Sequence, residues 1–329
     1  MKKLFFAFLF LISTSQMGAQ QTGSFKQVIT FPQADYSETR CLYYYVPENY
    51  SADHAYKLVV GFRGGPHINA GEFRDQLRFL SDSIGAIILC PENSAHFWNE
   101  EGKVKKLFQY SVDTTMAMYN VDPNYIYLTG LSYGGRHAVI VSMDTDAGDI
   151  PNLRGVIPFA AGLESDLRPN YSSIDDFAPT CICIGLNDAQ NFINVSHHLQ
   201  EDITANGGVA LLNEIPGVGH TVAFPTYKQE TMECLNFIEG QYINPVSNQK
   251  TADIGLSISP NPASETIELI YRKNLHPQRL FLTNLNGRII KTFTPDRTII
   301  DISGVSTGAY FIILQTAEGR FSKKVIISE

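Results

Sequence analysis

The sequence predicts an α/β protein: a mostly parallel sheet with helices on both of its faces, followed by a small C-terminal all-β sandwich. Up to about residue 240, short runs of β-branched and aromatic residues alternate with longer segments whose apolar residues recur at helical spacing. From residue 256 onward no segment has helical length and spacing, and Asn-Pro, Asn-Gly and Glu-Gly pairs separate short strand-like runs. The two patterns therefore predict two domains of different class.

The first domain is expected at residues 25–240. Its strands are predicted at residues 26–31, 41–46, 57–62, 86–90, 125–129, 155–159, 180–185 and 209–215, and its helices at 72–83, 103–119, 134–143, 191–206 and 224–238. Because no helical segment separates the first two strands, we expect them to form an antiparallel start to the sheet.

The second domain is expected at residues 256–329, after a linker at residues 241–255 that has few bulky apolar residues. Its strands are predicted at residues 256–258, 267–271, 279–283, 289–293, 299–302, 308–315 and 321–327. Asn286-Gly287 is the clearest hairpin turn.

The composition excludes several classes of protein. With 329 residues, 44% hydrophobic and 18% charged, the chain is neither a small disulfide scaffold nor wholly disordered. Its net charge of -8 offers no basic surface for phosphate backbones, so nucleic acid is not an expected partner. The five Cys residues show no CxxC pair and no zinc-type spacing with His, so no metal is predicted.

The N-terminus has the order of a secretory signal peptide at residues 1–19. Lys2 and Lys3 precede an apolar run at residues 4–12, and the pair Gly18-Ala19 marks a cleavage site after Ala19. A membrane anchor is the alternative, but it needs about 20 apolar residues, roughly twice this run. We therefore expect an exported mature chain without a transmembrane segment.

Export permits disulfides. Cys181 and Cys183 lie two apart on one predicted strand, where a bridge between them would be strained. We expect buried thiols or a bridge to a distant Cys, and a Cys41–Cys90 pair remains open.

A G-x-S-x-G sequence at residues 130–134 predicts a nucleophile elbow around Ser132. It follows a predicted strand and precedes a predicted helix, which is the context that such an elbow requires. The alternative is a glycine-rich turn with an inert serine.

The acid and the base are expected at later strand ends. Asp188 follows the strand at 180–185, and His220 follows the strand that ends at residue 215, in the order serine, acid, histidine. The other histidines lie in predicted helices, away from the strand ends, or after earlier strands, and Asp175 and Asp176 precede their strand.

The predicted oxyanion hole consists of the backbone amides of Tyr133 and Gly65, with the Arg63 amide as an alternative to Gly65. The Gly-Gly-Pro sequence that follows Arg63 could instead be only a turn. The side chains of Arg63, His67, His96 and Trp98 are predicted substrate contacts, although Trp98 is equally compatible with simple packing.

Residues 25–240 resemble the α/β-hydrolase fold. Residues 121–135 are similar to the elbow of secreted esterases of the polyhydroxybutyrate depolymerase, feruloyl esterase and acetylxylan esterase group. The resemblance implies that Ser132 is the nucleophile, His220 the base and Asp188 the orienting acid. This chain departs from the group at Arg63, where many relatives have His, and at Tyr133, where they have a small polar residue.

Residues 256–329 resemble the C-terminal sorting domain of type IX secretion cargo in Bacteroidota. The resemblance is carried by residues 258–263, 284–288, 308–311 and 323–326. It implies recognition by the secretion machinery, export across the outer membrane, removal of the tail, and release or attachment at the cell surface. An adhesive or carbohydrate-binding β-sandwich is the alternative.

Together these observations predict a secreted serine hydrolase that cleaves carboxylic esters through an acyl-enzyme, with polymer and plant cell-wall esters as candidate substrates and no cofactor. A serine peptidase or amidase with the same triad is one alternative. A non-catalytic surface binding protein on a hydrolase scaffold is another.

Overall fold

The computed structural model describes residues 20–32, 37–65, 69–93, 101–143, 153–164, 168–169, 177–242, 256–272, 275–285, 287–295, 297–316 and 319–328. The predicted signal peptide at residues 1–19 and most of the predicted linker lie outside the described residues. So do three of the predicted substrate contacts, His67, His96 and Trp98.

The N-terminal part alternates strands and helices as predicted. Its strands are β1 (Gly23–Pro32), β2 (Ser37–Val46), β3 (Tyr56–Phe62), β4 (Ala86–Pro91), β5 (Val121–Leu131), β6 (Leu153–Phe159), β7 (Thr180–Gly185) and β8 (Ala210–Ile215). Its helices are α1 (Ala70–Leu77), α2 (Phe79–Ile84), α3 (Glu101–Met118), α4 (Tyr133–Ser142), α5 (Gln190–Ala205) and α6 (Phe224–Gly240).

These strands form one sheet in the order β1-β2-β4-β3-β5-β6-β7-β8. β1 pairs antiparallel with β2, and β2 pairs antiparallel with β4. From β4 to β8 every neighbouring pair is parallel. The antiparallel start and the mostly parallel sheet are therefore confirmed, and the carboxyl ends of β3, β5, β7 and β8 share one edge of the sheet.

Helices cover both faces of the sheet because its strands are apolar on both sides. On β3, Leu58, Val60 and Phe62 belong to one core cluster, and Val59 belongs to the other. The first cluster contains residues of α3, α4 and α5, and the second contains residues of α1, α2 and α6. Successive side chains of a strand point to opposite faces, so one strand contributes to both cores.

The single helix predicted at residues 72–83 is two helices. Asn69 begins α1 with a capping box: its side chain accepts a hydrogen bond from the Glu72 amide, and the Glu72 carboxylate accepts one from the Asn69 amide. At Arg78, between α1 and α2, the amide bonds the carbonyl of Asp75 only three residues back, so the α-helical hydrogen bonding is interrupted there.

The C-terminal part is all-β, as predicted. Its strands are β9 (Ser257–Ser259), β10 (Thr266–Ile270), β11 (Pro277–Thr283), β12 (Ile289–Phe293), β13 (Ile299–Asp301), β14 (Gly308–Thr316) and β15 (Gly319–Ile327). They form two antiparallel sheets in the orders β13-β10-β9 and β12-β11-β14-β15. Leu269 of one sheet and Leu282 and Leu314 of the other belong to one core cluster. Asn286 of the predicted hairpin lies outside the described residues, and Gly287 has a φ of 81° between antiparallel β11 and β12.

The cysteines adopt both of the expected arrangements. Cys181 on β7 is joined by a disulfide to Cys234 on α6, 53 residues away, and Cys183 is a buried thiol. Cys41 and Cys90, whose pairing the sequence leaves open, are both free thiols. Burial raises the pKa of Cys183, which keeps this thiol protonated. Among the described helices, none has the length and apolar character needed to cross a membrane.

Candidate active site

Ser132 occupies a strained turn between β5, which ends at Leu131, and α4, which begins at Tyr133. Its φ of 55° and ψ of -121° are unusual for a residue with a side chain and cost roughly 1–3 kcal/mol. Two hydrogen bonds hold this backbone: the Ser132 amide donates to the Phe159 carbonyl at 2.7 Å, and its carbonyl accepts from the Arg136 amide at 2.9 Å. The turn presents the hydroxyl at the carboxyl edge of the sheet.

The glycines of G-x-S-x-G make room for backbone that comes very close. A Cβ on Gly130 would collide with the Gly134 backbone, and a Cβ on Gly134 would collide with the carbonyl oxygens of Phe62 and Arg63. These positions therefore need glycine for close approach, since neither has a positive φ. The elbow is pressed directly against the end of β3.

Ser132, His220 and Asp188 lie within hydrogen-bonding distance of one another in series. His220 Nε2 is 2.8 Å from Ser132 Oγ, and His220 Nδ1 is 2.9 Å from Asp188 Oδ2 and 3.1 Å from Asp188 Oδ1. The Asp188 side chain is fully buried, whereas the His220 side chain is 38% exposed. The arrangement can move a proton from a hydroxyl to an accessible imidazole whose other nitrogen faces a buried carboxylate.

The loops that bear Asp188 and His220 contact each other directly. The Asn187 amide donates to the Val218 carbonyl at 2.8 Å, and a Cβ on Gly185 would collide with that same Val218 backbone. The Ala189 amide donates to Asp188 Oδ1 at 2.6 Å, which orients the carboxylate. The spacing between acid and base is therefore set by backbone contacts at the end of β7.

Phe192 packs on the imidazole of His220, with ring centroids 4.1 Å apart and planes inclined by 35°. It lies in the first turn of α5, four residues after Asp188. Phe192 was not among the predicted site residues, although an aromatic residue at the start of the helix predicted after the acid is a usable signal. The ring limits the rotation of the imidazole.

Residues 63–65, which follow β3 and are called the glycine loop below, face the elbow. A Cβ on Gly64 would lie 3.1 Å from the carbonyl oxygen of Leu131, the residue before Ser132. Tyr133, the other predicted oxyanion residue, is the first residue of α4, at the positive end of that helix dipole. Both predicted amide donors thus lie on segments that adjoin Ser132.

The Arg63 side chain, a predicted substrate contact, is directed at backbone carbonyls. Its Nη1 donates to the carbonyls of Gly64 at 3.1 Å and Gly65 at 2.9 Å, and its Nη2 donates to the Asn93 carbonyl at 3.0 Å. The Asn93 side chain in turn donates to the Arg63 carbonyl at 3.1 Å. Asn93 was not among the predicted site residues, because nothing in the local sequence indicates a contact across 30 residues.

His137, which the sequence places in the helix behind the elbow, is fully buried beside Asn93. Its Nδ1 accepts a hydrogen bond from Asn93 Nδ2 at 3.2 Å, and its ring packs against Tyr133 with centroids 4.2 Å apart. Burial and the nearby charges of Arg136 and Arg63 lower the pKa of His137 to about 3. This histidine is therefore neutral over the working range of most enzymes.

Within the described ranges, the side chains Cys181, Cys183 and Cys234 form a group whose ligand atoms lie within 4.8 Å of one another. Two of the three sulfurs are joined in the Cys181–Cys234 disulfide, and Cys183 Sγ lies 3.4 Å from Cys234 Sγ. A metal ion needs deprotonated thiols as ligands, so the oxidised pair does not suit one.

A known protein family matches the C-terminal part of the chain. Residues 257–328 match the family described as the secretion system C-terminal sorting domain. No curated protein matches the sequence.

Among solved structures, a thermostable esterase has a TM-score of 0.52 and 19% identity over 65% of this chain and 62% of its own, so the match spans less than two thirds of that protein. A thermophilic esterase from Thermogutta terrifontis has a TM-score of 0.53 and 17% identity over 67% of this chain and 96% of its own. A putative dipeptidyl aminopeptidase IV from Bacteroides ovatus has a TM-score of 0.53 and 15% identity over 66% of this chain and 36% of its own.

Identities this low establish the fold and not the reaction. The fold of the large sheet is assigned from its strand order, the strained turn after β5 and these structural neighbours. The C-terminal part is assigned from the family match. The large sheet with its helices has the α/β-hydrolase fold, and residues 257–328 form a secretion system C-terminal sorting domain.

Proposed function

We propose that the chain is an exported serine hydrolase that cleaves carboxylic esters through an acyl-enzyme. The observation that carries the proposal is the series of hydrogen bonds from Ser132 Oγ to His220 Nε2, at 2.8 Å, and from His220 Nδ1 to Asp188, at 2.9 Å. The likeness to esterase structures supports the proposal at the level of the fold.

In the first half of the reaction, Ser132 Oγ attacks the ester carbonyl carbon while His220 Nε2 accepts the hydroxyl proton. Asp188 holds the Nδ1–H and stabilises the imidazolium that forms. The carbonyl oxygen becomes an oxyanion, to which the amides of Tyr133 and Gly65 donate. The bond to the alcohol oxygen then breaks, the imidazolium returns its proton to that oxygen, and an acyl-serine remains.

In the second half, a water molecule attacks the acyl carbon and His220 accepts its proton. The same amides stabilise the second oxyanion, and the bond to Ser132 Oγ breaks as that oxygen regains a proton from His220. A carboxylic acid leaves and the resting enzyme is restored. The 38% exposure of the His220 side chain makes the base accessible to water.

The nucleophile is tested by labelling with a fluorophosphonate and by hydrolysis of p-nitrophenyl acetate. We expect Ser132→Ala to abolish labelling and to lower kcat roughly 10⁴-fold or more. Ser142→Ala, in the same helix, should retain both because its hydroxyl bonds the Val139 carbonyl at 2.8 Å. Undiminished labelling or hydrolysis in Ser132→Ala would overturn the proposal, and a folded wild-type protein without ester turnover would favour a binding protein.

The second candidate is a serine peptidase or amidase with the same three residues, and the likeness to the Bacteroides ovatus putative dipeptidyl aminopeptidase IV favours it. Comparing kcat/KM for p-nitrophenyl acyl esters and for peptide anilides distinguishes the two. A panel of acetyl, feruloyl and short-chain hydroxyalkanoate esters then assigns the acyl group, and polymer or cell-wall esters are the candidate natural substrates.

The sorting domain supports export through a type IX secretion system. The proposed route is cleavage of a signal peptide after Ala19, passage of the hydrolase domain at residues 25–240 across the outer membrane, and removal of the tail beyond the linker at residues 241–255. Mass spectrometry of the exported protein tests the route, since the mature chain should begin at Gln20 and lack residues 256–329.

A further inference from the structure

We propose that Arg63 is a positioning residue of the oxyanion hole: its guanidinium orients the peptide unit that carries the Gly65 amide. The inference rests on the proposed function, because it assigns a role in the same site. It replaces the substrate contact expected for Arg63 with a contact to the glycine loop.

The contact from Arg63 acts through the geometry of a peptide bond. In a planar trans peptide the carbonyl and the N–H of one unit point in opposite directions. The Gly64 carbonyl and the Gly65 amide belong to one such unit, and Arg63 Nη1 holds that carbonyl at 3.1 Å. Fixing the carbonyl on the guanidinium therefore directs the Gly65 N–H to the other side of the loop.

The loop would not hold this direction without help. Glycine has the widest backbone freedom of any residue type, and among the described residues a Cβ on Gly65 would meet no atom within 4 Å. On that side of Gly65 no described atom packs against the loop, whereas Gly64 adjoins the Leu131 carbonyl. The guanidinium supplies the missing restraint, because it also holds the Gly65 carbonyl at 2.9 Å.

The guanidinium is itself anchored. Its Nη2 donates to the Asn93 carbonyl at 3.0 Å, and Asn93 is fully buried between the Arg63 carbonyl and His137. Three carbonyl acceptors suit the several donors of the arginine fork, which a lysine ammonium does not reproduce. The glycine loop is thus tied to Asn93, two residues beyond the end of β4.

The test compares Arg63→Lys and Arg63→Ala with Arg74→Ala. Arg74 is a matched control, since its Nη1 also donates to backbone carbonyls, of Phe25 at 3.4 Å and Tyr44 at 3.2 Å, on the strands β1 and β2. The measurements are kcat and KM for p-nitrophenyl acetate and inhibition by phenylboronic acid, whose tetrahedral adduct with serine mimics the intermediate. Rates are divided by the folded fraction from circular dichroism.

We expect both Arg63 variants to lower kcat roughly 10- to 100-fold with little change in KM, because a displaced donor is felt mainly in the transition state. The affinity for phenylboronic acid should fall by a similar factor. Methylguanidinium, at concentrations that leave the fold intact, should restore part of kcat in Arg63→Ala. Arg74→Ala should keep the wild-type kcat.

Three results would overturn the inference: a wild-type kcat in both Arg63 variants, a change confined to KM, or failure of both variants to fold while Arg74→Ala folds. The second would return Arg63 to the substrate, and the third would make its role purely structural. Ser132→Ala separates this inference from the proposed function. If Ser132→Ala is inactive and the Arg63 variants are fully active, only the inference fails; if Ser132→Ala stays active, the proposed function itself fails.

Discussion

The nucleophile elbow and the glycine loop opposite it are held in different ways. In the elbow, Gly130 and Gly134 allow the ends of β3 and β5 and the start of α4 to come into contact. In the glycine loop, the Arg63 side chain bonds the backbone carbonyls. Side chains at Gly130 or Gly134 would collide with backbone atoms, so the elbow can form only because both positions lack a side chain. At Gly65 an added Cβ would meet none of the described atoms within 4 Å, and the restraint that we propose there is the Arg63 guanidinium. The two glycine-rich segments thus owe their geometry to different contacts: close backbone packing in the elbow, and hydrogen bonds from a side chain in the glycine loop.

This difference predicts how each region responds to an added methyl group, and the elbow should respond most. In Gly134→Ala, the new Cβ would meet the Phe62 and Arg63 carbonyl oxygens, which lie on the backbone and have no rotamer to change. We expect a loss of more than about 4 kcal/mol in the free energy of unfolding, measured by urea denaturation, or no folded protein at all.

Gly102→Ala is the control for this substitution. Gly102 lies in α3, and a Cβ there would meet none of the described atoms within 4 Å, so we expect a small gain in stability of about 1 kcal/mol or less. If Gly134→Ala unfolds at the same urea concentration as the wild type, close backbone packing does not shape the elbow.

A third kind of restraint, a covalent bond, links the elements behind the acid and the base. Cys181 lies on β7, which leads to Asp188, and Cys234 lies on α6, which follows the His220 loop. The bridge closes a loop with a sequence separation of 53 residues, so its removal in Cys181→Ala/Cys234→Ala should cost about 4 kcal/mol in the free energy of unfolding.

Cys41→Ala, which removes a free thiol, should have a free energy of unfolding within about 1 kcal/mol of the wild-type value. The single variant Cys181→Ala tests the pairing, because Cys183 Sγ lies only 3.4 Å from Cys234 Sγ. Wild-type stability in Cys181→Ala, with a Cys183–Cys234 peptide in the non-reduced digest, would show that the bridge is not committed to Cys181.

The sequence predicted the features that depend on local patterns, and it did not predict those that depend on long-range contacts. The strand Thr180–Gly185 was predicted to the residue because it is a continuous apolar run, and the order of Ser132, Asp188 and His220 followed from the positions of three strand ends. The roles of those three residues stay predictions until they are measured. The pairing of Cys181 with Cys234, the break of the helix at Arg78 and the Asn93 contacts depend on atoms brought together by folding, and no periodicity marks them.

The smallest expected effect is a dependence of the free energy of unfolding on pH, and it comes from His137. This histidine contacts the glycine loop through Asn93. Burial and the charges of Arg136 and Arg63 lower the folded-state pKa of His137 to about 3, against about 6.5 in the unfolded chain. Between those values the unfolded chain binds a proton that the folded chain does not, so stability falls as the pH falls. His137 alone should therefore remove about 3 kcal/mol from the free energy of unfolding between pH 8 and pH 4.5.

Urea denaturation across this range checks the prediction as a difference between variants. In His137→Gln the loss between pH 8 and pH 4.5 should be smaller than in the wild type by that amount. His198→Gln, at an exposed position of α5, is the matched control for the change from His to Gln. Equal slopes in all three proteins would mean that His137 becomes protonated in the folded chain, and that its contact with Asn93 is open to water.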